Sequence, residues 1–196
     1  MTDILLVRDT PSFQETAFRA YGLSFAAVCP SQTGSPYLPP AYLAILPPGF
    51  GDPEYSGLSD CFDPRRPGHK PPLVRFFRDF AKNGGTVLIF SPMRDAFDLS
   101  LLGFSEEGLT GFYRRKDQYL PADPSVLKDA DVMFCDGFFE IAAPAQTPAA
   151  PAESVVLIKK SVGKGQVIMT TIHEMPSKEF FTSLISESGK SRSLPK

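Results

Sequence analysis

The feature that most constrains the fold is the alternation, over the first hundred residues, of short apolar runs with amphipathic stretches between turn signals. Ile4 to Val7 is a continuous apolar run that stops at Arg8-Asp9-Thr10-Pro11, the pattern of a buried strand ending in a turn. Ser12 with Glu15 three residues on makes a capping box; Phe13, Ala17 and Ala20 share a face of the helix it opens, and Gly22 supplies the stop. Phe25 to Cys29 is a second strand closed by Pro30, and Tyr42 to Leu46 a third, ended by Pro47-Pro48-Gly49. Pro71-Pro72 then open a helix with Leu73, Phe76, Phe77, Phe80 and Ala81 on one face, and Asn83-Gly84-Gly85 end it. Thr86 to Phe90 is a fourth strand, running into Ser91-Pro92 and a short helical stretch through Leu102.

Strands joined through helices demand right-handed crossovers and a parallel sheet. The second half reads differently. Strand character shows around Phe112-Tyr113 and over Val132 to Cys135, the latter passing into a turn at Asp136-Gly137, and a proline-broken loop spans 142–152. Val155 to Lys160 and Gln166 to Ile172 then flank Val162-Gly163-Lys164-Gly165 as an antiparallel hairpin. A last helix is expected over about 177–186, with a disordered tail from 188 to 196. The expected fold is α/β, a flavodoxin-like three-layer sandwich with a mostly parallel sheet and an antiparallel hairpin near the C-terminus, one domain over residues 1–187. Ligands of such sheets bind at the carboxyl ends of the strands, here the loops beginning at Arg8, Pro47, Ser91 and His173.

Composition narrows the function classes. Twenty basic against 22 acidic residues leave no excess for nucleic acid or an anionic membrane, and no run approaches a membrane-spanning length. Three widely spaced cysteines fit reduced thiols, and with no signal segment the expected location is cytoplasmic. Cys61, His69 and His173 lack the ligand spacing of a zinc site, and no cofactor motif is present; Gly163-Lys164-Gly165 lacks the spacing of a phosphate loop.

Three pieces in order carry a resemblance: Leu46-Pro47-Pro48-Gly49, the helix and Gly-Gly before Thr86 to Ser91, and Gly163-Lys164-Gly165 leading to His173-Glu174. In these the chain resembles the class I glutamine amidotransferase-like superfamily, including its ThuA-like and biotin-ligase N-terminal relatives. The resemblance implies an elbow nucleophile at Ser91, a base at His173 with Glu174 behind it, and an oxyanion-hole glycine at Gly49. The family's nucleophile is cysteine, and no cysteine follows the fourth strand, which removes the thiolate that glutaminase chemistry requires. Pro92 has no N–H to give an oxyanion and disfavours the elbow turn, so Ser91 reads first as an N-cap. Glu174 directly follows His173, and neighbours on a strand face opposite ways.

The expected function is a non-catalytic domain, without glutaminase activity, that binds a small molecule or a protein partner. Its candidate ligand contacts are Arg8, Asp9, Gly49, Phe50, Arg94 and Asp95, with Arg65 and Arg66 in the loop 50–70 offering charge to an anionic ligand or an acidic partner. The alternative is a hydrolase in which Ser91 or a water works with His173 and Glu174.

Overall fold

The computed structural model describes residues 2–62, 71–141 and 153–193. Its main sheet has six strands in the order β2-β1-β3-β4-β10-β9. They are β1 (Thr2–Val7), β2 (Phe25–Val28), β3 (Ala41–Leu46), β4 (Thr86–Ile89), β9 (Leu157–Val162) and β10 (Gly165–Thr170). All pairs are parallel except β9 against β10, the hairpin at the C-terminal side. This is the α/β sandwich that the strand–helix alternation demands.

Successive residues on the central strands serve opposite faces, because a strand's side chains alternate. Leu43 and Ile45 enter a core with Phe18, Phe181 and Leu184, whereas Ala44 and Leu46 enter a core with Leu73, Phe77 and Ala81. One outer layer is therefore α1 (Phe13–Tyr21) with α3 (Lys178–Ser193), joined by an edge-to-face contact of Phe18 and Phe181 at 5.3 Å. The other is α2 (Pro71–Lys82), which buries Leu73, Phe77 and Ala81 of the five residues the spacing selects, with Phe76 and Phe80 partly buried beside them. The Ser12–Glu15 capping box and the left-handed Gly22 delimit α1 as expected.

Three expectations need correction. On α1 the buried residues are Gln14, Glu15 and Phe18, while Phe13 is exposed, since the face that meets the sheet starts one residue later. The last helix runs to Ser193, beyond the expected end at 186; Ser188 is buried there, and its hydroxyl meets that of Thr86 at 2.7 Å. No helix starts at Ser91, and only the end of the expected helical stretch is helical. The chain instead forms a short strand, β5 (Ala96–Asp98), and a single 3-10 turn over Leu99–Leu102 capped by Asp98.

β5 begins a second sheet that the sequence left largely unread: β5, β6 (Gly111–Pro121), β7 (Val132–Ile141) and β8 (Glu153–Val155), antiparallel in that order. Phe97, Tyr113 and Phe139 join the α2-side core, whereas Met133 and Cys135 join the α1/α3-side core. The β6–β7 ribbon thus straps across the carboxyl end of β10, where Cys135 bridges Ile172.

Candidate functional site

The carboxyl ends of β1, β3, β4 and β10 are adjacent in the sheet, so the segments that leave them converge. Between them lies a cavity of about 300 Å³, lined among others by Arg8, Asp9, Phe13, Pro47, Pro48, Tyr55, Met93 and His173. Three of the sequence-selected residues, Arg8, Asp9 and His173, meet there. Gly49 and Phe50 do not line it, and Phe50 is wholly buried against Phe62 and Phe97. Arg94 and Asp95 are exposed outside its lining. Arg65, Arg66 and His69, with most of the charge of the loop 50–70, lie outside the described residues.

Gly49 takes a left-handed φ of 79°, but its N–H donates to the Ser91 carbonyl at 2.9 Å. Gly51 donates likewise to Pro92 at 3.2 Å, so the two loops are stapled together and the Gly49 donor is already engaged. Ser91 is fully buried. Its hydroxyl donates to the Tyr113 hydroxyl at 3.0 Å and accepts from the Met93 N–H at 3.1 Å. Tyr113 in turn donates to the Asp136 carbonyl at 2.9 Å, and burial pushes its phenol up to about 12, so it stays a neutral donor. The Ser91 side chain is thus a structural tie between β4 and the second sheet, neither the cap of a helix nor an exposed hydroxyl.

The strained position lies two residues further on. Met93, with φ 54°, is the one non-glycine residue in the left-handed region among the described residues, and it lines the cavity. The left-handed residue in the wall that His173 also lines is therefore a thioether.

His173 extends from the chain beyond β10 and is about half exposed. Its Nδ1 lies 3.1 Å from Asp136 Oδ1. Glu174, in the bend that follows, does not pair with His173; its Oε1 accepts the Phe134 N–H at 2.8 Å. That bond, with the His173 N–H to the Phe134 carbonyl at 2.9 Å and the Phe134 ring 5.3 Å from the imidazole, fixes where His173 sits. The carboxylate behind the histidine is Asp136, from the middle of β7.

Local geometry makes room for that carboxylate. A register shift in β6 leaves Lys116 and Asp117 against Asp136, a bulge of the kind that re-aims side chains beside sites. Gly137 follows because a Cβ there would lie 2.2 Å from the Arg114 carbonyl. Asp136 Oδ2 is buried and meets no protein donor among the described residues.

Burial pushes the Asp136 carboxyl up, and His173 pulls it back to a smaller degree. An acid whose pKa is higher in the fold than in the unfolded chain, where it is about 4, costs stability as pH rises from the unfolded value through the folded one. Asp136→Asn is therefore expected to raise the thermal midpoint at neutral pH and to lose that advantage below about pH 4. Thermal denaturation followed across pH checks this; an advantage confined to acid pH would contradict it.

No family model matches the chain, and no curated protein matches it. Among solved structures, the GH42 β-galactosidase Gan42B from G. stearothermophilus is similar at 11% identity and a TM-score of 0.51, over 99% of this chain and 30% of that one. PurLQS from Thermotoga maritima aligns at 12% identity over 98% of each chain, with a TM-score of 0.49. A cytoplasmic protein from Salmonella typhimurium LT2 aligns at 9% identity over 99% of this chain and all of that one, with a TM-score of 0.48. The likeness to Gan42B is one of fold, and the chain spans only about 30% of that enzyme's length.

Proposed function

We propose that this chain is a ligand-binding domain on a glutamine amidotransferase-like scaffold that performs no acyl transfer. The observation that carries this reading is Met93, a left-handed residue after β4 in the cavity lining, which we read as standing where an elbow nucleophile would. A thioether has no proton to give up and cannot form an acyl-enzyme. Ser91 has a hydroxyl, but it is buried and bonded to Tyr113, and it shares no hydrogen bond with His173. The nearby Gly49 N–H is engaged by a carbonyl instead of facing an oxyanion.

A thermal-shift screen of small metabolites against the native chain and Met93→Trp, which fills the cavity, tests the reading. Compounds that raise the midpoint of the native chain are expected to leave the variant unmoved. Hits that shift both equally would take binding out of this crevice.

The His173–Asp136 pair favours a second reading, hydrolysis by an activated water. A histidine oriented by a carboxylate is a competent base without any covalent nucleophile. Turnover of a simple ester that survives Ser91→Ala and disappears in His173→Ala would select it.

A further inference from the structure

We infer that the crevice receives a primary ammonium group carried on a small apolar body, an inference that rests on the binding reading above. Two acceptors and a cation already held by a carboxylate point to it.

The first acceptor is His173. An ionised Asp136 can only accept, so the proton of a neutral imidazole resides on Nδ1, and Nε2 keeps its lone pair on a half-exposed ring that lines the cavity. The second is Asp9. Its Oδ1 takes the Ser56 hydroxyl at 3.0 Å, and Oδ2 rests over Gly57, where a Cβ would come within 2.5 Å. The carboxylate can lie there because residue 57 has no side chain.

The cation of the lining is already paired. Arg8 Nε is 2.6 Å from Glu15 Oε1, with that carboxylate shared with Arg19 at 3.4 Å. An entering anion would meet Arg8 partly compensated by Glu15 and Asp9 opposing it, whereas an ammonium meets Asp9 and the His173 lone pair. Most of the rest of the wall is apolar, with Pro47, Pro48 and Met93 beside the exposed rings of Phe13 and Tyr55, whose faces attract cations, and the hydroxyls of Thr10, Ser12 and Ser56 complete it.

The test uses three probes with one chain and different heads: butylammonium, n-butanol and butyrate. The chain has two histidines, so in His69→Ala the imidazole signals belong to His173 alone. Nitrogen–proton correlations of that ring are followed during each titration at about pH 8, where an ordinary imidazole is neutral. Butylammonium is expected to saturate with a Kd at least about tenfold below that of butanol, and butyrate to leave the signals unmoved. Asp9→Asn is expected to bring butylammonium to the butanol value. Tighter binding of butyrate, equal binding of all three probes, or no response to any would overturn the assignment. Tighter butyrate would still leave a binding crevice, whereas acyl turnover would sink the binding reading and not the charge preference.

Discussion

Gly165→Ala is expected to destabilise the fold by about 3 kcal/mol or more, the range reached when added volume meets atoms that cannot move aside. Gly165 opens β10, and a Cβ there would lie 2.1 Å from the Gly85 carbonyl oxygen and 2.5 Å from that of Ala81. Both atoms are backbone, fixed by the end of α2 and the turn into β4. The neighbouring turn is tied to the same place, because Lys164 donates to the Lys82 carbonyl and Gln166 to that of Gly85, each at 3.2 Å. Relief would have to pull β10 away from β4 along their shared register. Gly34, where a Cβ meets nothing within 4 Å, is the control, and its alanine variant is expected within about 0.5 kcal/mol of the native chain. Urea unfolding of both variants checks the contrast, and a Gly165→Ala midpoint close to that of Gly34→Ala would refute the packing.

The second expected result concerns Met93. Met93→Cys puts a thiol in the strained turn at the end of β4, lining the same cavity as His173. A thiol within reach of an imidazole is activated as thiolate, and its reactivity follows. Alkylation by iodoacetamide near neutral pH is therefore expected to be at least about tenfold faster at this position than at Cys29, an exposed thiol of the native chain. His173→Ala in the same background is expected to remove the difference. Cys61 and Cys135 supply internal slow references, since burial pushes both thiols up. Equal rates at residues 93 and 29 would mean that Met93 does not occupy the nucleophile's place.

Much of the main sheet was legible because its signals are local. The capping box at Ser12, the apolar stripe of α2 and the glycines of the β9–β10 hairpin each act within a few residues. The second sheet was not legible in the same way. β6 is charged through Arg114, Arg115, Lys116 and Asp117, and what holds it is long-range pairing with β7, which no local pattern reports.

The site divides along the same line. Arg8, Asp9 and His173 could be placed because they end strands of a recognisable sheet, whereas Asp136 joins His173 only through that pairing. A signal did exist: an Asp-Gly step interrupts the apolar run Val132 to Ile141 mid-strand, where a charge needs a partner. Met93 was missed because the left-handed turn falls two residues after the expected elbow, and sequence alone does not reveal the φ of a methionine.

The claim at the centre of this account is that the crevice binds without acyl transfer. Its most direct test is intact-mass spectrometry of the chain after incubation with a glutamine-site diazoketone and, separately, with a fluorophosphonate, alongside ammonia release from glutamine. The expected result is an unchanged mass with both reagents and ammonia at the level of the buffer. A stoichiometric adduct at Ser91 or at any cysteine, accompanied by glutamine turnover, would contradict it.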